Sequence, residues 1–375
     1  MKKLILLITM VSFTVQAQNL TVNSGKSWTV EKTGSVKIAG NLTNNGTFTL
    51  NSDADEFSSV IVDYDNNGSG SSTGNIDYNR YVNAEGTDEW DLIGSPLDGV
   101  SIYTFVTNNT SGTATLATNG SAYAVGEYDN TTDTWTNYTT ATAGVDEAAG
   151  NFDIGRGYQM ASVDGGTGLL KFTGTVASTT QTQPIINNDA ANSNAGRRWN
   201  LIANPFPSYV QGNINADGTN NFLTFNAAKI DDSFEAIYGY DADGTGYTIY
   251  NNSSGALRLA PGQAFLVASD DTSSDNVSFT TAMRTIVGGD DLIVGNDIYD
   301  SQEVVIKLYN DNTVIEEARF YFEDGLTLGL NPGYDAGAFS QSAAIMSRLV
   351  EEDEGVGFVI NAMGTESMNS TVIPL

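Results

Sequence analysis

The sequence predicts an all-β protein of several modules, and three observations carry that prediction. Apolar residues fall in short runs rich in Val, Ile, Tyr, Phe and Thr, separated by clusters of Gly, Asn, Asp and Ser. Helical periodicity is almost absent. The third observation is an internal copy: Glu89-Trp90-Asp91-Leu92-Ile93-Gly94-Ser95-Pro96 returns as Arg198-Trp199-Asn200-Leu201-Ile202-Ala203-Asn204-Pro205-Phe206-Pro207-Ser208. Each reads as one strand opened by a tryptophan and closed by a proline turn, because proline cannot donate to a sheet ladder.

The segments downstream of each copy match as well. Trp90 and Trp199 lie 109 residues apart, Tyr128 and Tyr240 112, Gly157 and Gly262 105, and Phe172 and Phe279 107. Loops absorb such differences. Residues 76–180 and 197–288 are therefore expected to be tandem β-sandwich units, with the polar run from Asn187 to Gly196 in the boundary between them.

Ahead of the units, residues 18–75 carry apolar residues in very short pieces: Leu20 and Val22, Trp28 and Val30, Val36 and Ile38, Phe48 and Leu50, then Val60 to Val62. Strands of three or four residues with sharp turns suggest a short N-terminal β layer or a β-helix-like stack, and an antiparallel meander fits equally. Gly68 to Gly74 reads as a linker, and Ile76 to Val82 alternates cleanly as the first strand of unit 1. A third β module is expected over 297–375, opening with a hairpin of Val304–Tyr309 and Ala318–Phe322. It has few strands, and Val372-Ile373-Pro374-Leu375 has no exit turn, so a longer parent protein is expected.

The N-terminus has Lys2 and Lys3, an apolar run from Leu4 to Val15, and Val15-Gln16-Ala17 before Gln18. That pattern predicts a signal peptide over 1–17, cut after Ala17, and a secreted or cell-surface destination. The run is too short to cross a membrane, which takes about 20 residues.

Composition narrows the chemistry. The net charge of −29 repels nucleic-acid phosphates and anionic lipid, so neither is an expected partner. With no cysteine and no histidine the chain has no thiol nucleophile, no Ser-His-Asp triad, no disulfide and no imidazole-held metal. No cofactor is required.

Several blocks resemble secreted and cell-surface proteins exported by the bacterial type IX secretion system: Trp199 to Ser208, Ala260-Pro261-Gly262-Gln263 running into Ala264-Phe265-Leu266-Val267, and Phe279 with Met283-Arg284. Asn41 to Phe48 is similar to their N-terminal β region and Asn331 to Gly337 to their following β module. The resemblance implies an export machinery as partner and a surface location, and says little of activity. Such proteins usually end in a small β sorting domain, which nothing here matches. Unit 1 also departs from the pattern, since Gly157 lacks a preceding proline and Gly94-Ser95-Pro96 replaces Ala203-Asn204-Pro205.

Two sets of residues are candidate sites. Asp241 and Asp243 in one turn, and Asp63, Asp65 and Asn67 in another, offer alternate oxygens and a nearby glycine suited to calcium, although Asp-Gly and Asn-Gly also make plain hairpin turns. Tyr128, Trp135 and Tyr138 in unit 1, and Tyr238, Tyr240, Tyr247 and Tyr250 in unit 2, are candidates for stacking on sugar rings; cross-strand packing is the competing use. Adhesion or matrix contact is the leading functional expectation, then carbohydrate binding in support of polysaccharide use, then a carboxylate-based glycoside hydrolase. The last lacks a signal, because 45 acidic residues make a chance carboxylate pair inevitable.

Overall fold

The computed structural model describes residues 14–85, 90–113, 115–142, 149–189, 195–241, 246–270, 272–289, 291, 302–311, 313–341, 343–369 and 371–375. The chain is all-β: strands dominate, and only two short α-helices occur among the described residues.

The N-terminal strands β1 (Thr14–Ala17), β2 (Leu20–Val22), β3 (Ser27–Val30), β4 (Ser35–Ile38), β5 (Leu42–Asn44), β6 (Thr47–Asn51), β7 (Ser59–Val62), β8 (Ser72–Thr73) and β9 (Ile76–Tyr81) wind into three coils. Equivalent strands stack in parallel on three faces, β1-β4-β7, β2-β5-β8 and β3-β6-β9. This is a short three-faced β-helix, which excludes the meander. Its interior is a stack of like residues, with Trp28 beside Phe48 and Leu50 beside Tyr78. β1 lies within the expected signal peptide, whose first 13 residues are outside the described ones; cleavage after Ala17 would leave β4 as the first strand of its face.

β9 closes the third coil and does not stand apart as the start of unit 1. Its free side pairs antiparallel with β15 (Leu169–Gly174), a unit-1 strand, so one hydrophobic core runs from Val22 to Val176 without a break. The rest of unit 1 is β10 (Asp91–Gly94), α1 (Ile102–Thr110), β11 (Thr118–Asn119), β12 (Ala122–Asp129), β13 (Thr134–Thr139) and β14 (Gly157–Met160), with sheet order β10-β14-β12 and β11 and β13 both on β12.

Unit 2 begins earlier than the sequence suggests. The polar strand β16 (Gln181–Ile185) pairs with β23 (Asp275–Phe279) as β9 pairs with β15. Between them come β17 (Trp199–Ala203), β18 (Tyr209–Gln211), α2 (Phe222–Asn226), β19 (Ile237–Asp241), β20 (Gly246–Tyr250), β21 (Arg258–Leu259) and β22 (Ala264–Ala268); β24 (Arg284–Thr285) comes next and completes a small sheet with β18 and β21. The main sheet, β17-β22-β19-β20, repeats the order β10-β14-β12-β13 of unit 1.

The two helices are a shared device that the sequence pattern did not signal. In α1 the Asn109 side chain accepts from the Lys171 amide (2.8 Å) and donates to the Lys171 and Phe105 carbonyls (3.0 and 2.9 Å). In α2, Asn226 accepts from Ser278 (2.8 Å) and donates to Ser278 and Phe222 (3.0 and 2.9 Å). One buried amide in each unit thus satisfies the outer edge of β15 or β23, where an unpaired backbone group would cost about 1–3 kcal/mol. Phe105 and Phe222, one turn earlier, rest on Phe172 and Phe279 at ring distances of 4.7 and 5.0 Å.

The third module is one sheet of order β25-β26-β28-β27, made of β25 (Gln302–Asn310), β26 (Thr313–Phe322), β27 (Ala336–Gly337) and β28 (Phe358–Met363). It docks on unit 2 through Phe339, which stacks on Trp199 (4.6 Å) and Tyr247 (3.9 Å), and through the Tyr238 hydroxyl, which donates to Gly337 (2.8 Å).

Candidate functional site

The aromatic hairpins are where the two copies match most closely. Tyr128 sits opposite Trp135 across β12 and β13, and Tyr240 opposite Tyr247 across β19 and β20, both members of each pair being shifted by 112 residues. The rings lie 5.1 and 5.6 Å apart, and Tyr128, Tyr240 and Tyr247 all pack on the cluster that holds Trp199.

Their surroundings differ. Tyr247 is covered by Phe339 of the third module, and burial pushes its hydroxyl up to about 12. Tyr238 and Tyr250 are core residues, and Tyr240 is half-buried. In unit 1 Trp135 remains 39% exposed, whereas Tyr138, three residues on, lies on the opposite face of β13 and packs into the unit-1 core. Of the seven aromatic candidates, the Tyr128–Trp135 pair presents the open ring. Sequence alternation tells which rings share a face but not which face a later module covers.

Tyr128 is held from both units. Its hydroxyl lies 2.8 Å from the Asp133 carboxylate and 2.8 Å from the Gly196 carbonyl, and burial, then Asp133, pushes its ionisation well above the usual tyrosine range. Asp129 caps the turn by accepting from the Thr131 hydroxyl and amide, which holds its carboxyl below the usual range. Asn130 donates to the Ile186 carbonyl (3.0 Å) and accepts from Asn188 (2.8 Å). The hairpin therefore presents Trp135 on a turn fastened to the start of unit 2.

A family profile described as a domain of unknown function, DUF8693, matches residues 5–375. The chain belongs to the DUF8693 family. No curated protein and no solved structure matches it.

In this DUF8693 chain the Asp63 turn holds the guanidinium of Arg284. The buried Asp63 carboxylate accepts from the amides of Gly68 (2.9 Å) and Gly70 (3.2 Å), and Asn67 bonds to both Ser69 and Asp65. The Val62 and Asp63 carbonyls and Asn66 Oδ1 accept from Arg284 at 2.7, 3.0 and 3.0 Å. Arg284 also lies over the Phe206 ring, and burial lowers its guanidinium to about 10. Asp243 lies outside the described residues, as does the side chain of Asp241. Among the described residues no group of three or more acidic side chains is gathered to hold a metal.

Buried charged groups lie both at the seams between modules and inside them. Arg80, fully buried, bonds to Asp291 (2.8 Å), the Pro261 carbonyl of unit 2 (2.8 Å) and the Tyr81 carbonyl (2.6 Å), with its guanidinium 4.3 Å from the Phe57 ring centre. Burial pushes the Asp91 carboxyl up to about 7, with the nearby Asp291 adding to it. Glu235, against Gly333 of the third module, and Asp335, which accepts from Asn331 and Ala362, are raised by burial to the same value. A hollow of about 510 Å³ beside Gln341, Ile345, Met346 and Arg348 has no carboxylate side chain in its wall among the described residues, and Arg348 is committed to Asp353.

Proposed function

We propose that the chain is a non-catalytic extracellular or cell-surface protein for adhesion or matrix contact, exported by a type IX-like route. The observation that carries this reading is the placement of its displaced carboxyls. Asp91, Glu235 and Asp335 are all buried where elements are tied together, whereas a glycosidase acid and base must face a substrate cleft about 5 to 9.5 Å apart. The guanidinium groups of Arg80 and Arg284 join segments far apart in the chain, which suits a protein that presents a surface. Labelling of intact native cells, with attachment assays on a deletion strain, tests the proposal. Surface signal and lost attachment are expected; signal confined to the cell interior, or reducing-sugar release from a polysaccharide panel, overturns it.

A second reading, carbohydrate binding, is favoured by Trp135, an exposed ring braced on Tyr128. A glycan array decides it: Trp135→Ala is expected to weaken binding about tenfold, as loss of a stacking ring does. Tyr240→Ala, a change at a half-buried position, serves as the comparison.

A further inference from the structure

We propose that β25 is a self-association edge, pairing antiparallel with β25 of a second copy of this chain about a two-fold axis at Val305. The inference is independent of the proposed adhesive role. Among the described residues β25 is the outermost strand of its sheet, nine residues long, and none of the nine is buried. Its sequence is nevertheless that of an inner strand: Val304, Val305, Ile306, Leu308 and Tyr309, with Val304 51% and Tyr309 55% exposed. A long apolar edge offers unpaired backbone groups that another strand can satisfy.

Charge selects both the partner and the register. Glu303, Val305 and Lys307 share one face of β25, and on that face Arg319 bonds Glu303 (3.3 Å) and Lys307 bonds Glu317 (3.2 Å). Pairing centred on Val305 sets Glu303 of each copy opposite Lys307 of the other, twice, and sets Val304 opposite Ile306 on the other face. The row Glu317, Lys307, Glu303 of the second copy then alternates in sign across three strands. Centring on Glu303 or Lys307 opposes like charges, and centring on Ile306 leaves Lys307 against Val305, which destabilises or wastes the pair.

Because the chain has no cysteine, one introduced thiol reports the register directly. Val305→Cys places two thiols opposite each other at a Cα separation of about 4.5–5.5 Å, within disulfide reach. Tyr309→Cys is more exposed but has no counterpart within that distance. The experiment measures oxidative cross-linking of the full chain for both variants, with sedimentation of the unmodified chain, Glu303→Lys, Lys307→Glu and the double swap, and a thermal melt to confirm folding. Expected are a disulfide dimer for Val305→Cys alone, a reversible dimer weakened about tenfold or more by either swap, and recovery in the double swap. A monomer at about 100 µM, equal cross-linking at Tyr309→Cys, or a dimer indifferent to the charges overturns the proposal.

Discussion

The Gly94 amide donates to the Gly262 carbonyl at 2.8 Å, and the Ala203 amide donates to the Gly155 carbonyl at the same distance. The bonds are related by the internal repeat: Gly94 and Ala203 end the first strand of each sheet, and Gly155 and Gly262 are both left-handed turn residues, at φ 84° and 70°. Each unit lends its turn to the open edge of the other's first strand, with isolated bridges Ile93–Gln263 and Arg156–Ile202 beside the bonds. The two units form a reciprocal clasp.

Close approach at the clasp requires small residues. A Cβ on Gly94 would stand 2.3 Å from the Ala203 Cβ and 2.5 Å from the Arg156 carbonyl oxygen. Gly94→Ala is expected to destabilise the chain by about 1–3 kcal/mol in urea unfolding, the usual cost of overpacking. Gly218→Ala, which meets nothing within 4 Å, should stay within about 0.5 kcal/mol of the unmodified chain.

Removing the Asn226 amide strips partners from both backbone groups of Ser278. Asn226→Ala is expected to cost about 2–4 kcal/mol, and Asn109→Ala a similar amount in unit 1. Chemical denaturation checks the pair; a loss in one unit only would break the equivalence of the two helices.

Arg80→Met leaves Asp291 buried without its guanidinium. The expected loss is about 3–5 kcal/mol, read as a shift of the urea midpoint at constant slope. Arg80→Lys should recover only part of it, since one ammonium cannot reproduce a fork that reaches Asp291, Pro261 and Tyr81 together.

Burial, with Asp232 adding, raises the Glu235 carboxyl from 4.5 to about 7, so the folded chain holds this proton more tightly than the unfolded chain. The stability linked to it is complete below about pH 4.5 and is lost as pH rises through 7. Asp91 and Asp335 act in the same direction from 3.8. Glu235→Gln is expected to lessen the fall between about pH 5 and pH 8, raising stability at the higher pH by on the order of 2 kcal/mol. Urea midpoints of both chains at the two pH values provide the measurement.

The repeat was legible because Trp90 and Trp199 and the two Tyr-Asp pairs kept their spacing, but its register was not. The sequence matches Gly157 to Gly262 through a shared glycine, whereas the structure aligns Gly155 with Gly262 and Gly157 with Ala264, a uniform shift of 107 that also carries Phe172 to Phe279. Gly157 is small for another reason: a Cβ there would press on Leu201 at 2.6 Å. β16 was hidden because Gln181, Thr182 and Gln183 carry no apolar alternation, its pairing being supplied by β23 about a hundred residues later. The β-helix could not be told from a meander because its parallel partners, such as Ser35 and Ser59, are joined by whole coils and leave no hairpin signal. The helices do leave one trace in the chain: Phe105-Val106-Thr107-Asn108-Asn109 and Phe222-Leu223-Thr224-Phe225-Asn226 share a Phe and an Asn one helical turn apart. The aromatic candidates divided according to burial by neighbouring modules, a property of tertiary contact that no local spacing encodes.

The clasp is tested most directly by hydrogen exchange resolved at the Gly94 and Ala203 amides in the full chain. Both are predicted to exchange as slowly as the central amides of β17 and β22, because each donates to the other unit within one cooperative body. Rapid exchange at either amide while those strands stay protected would show that the two copies merely lie side by side, and would contradict the account.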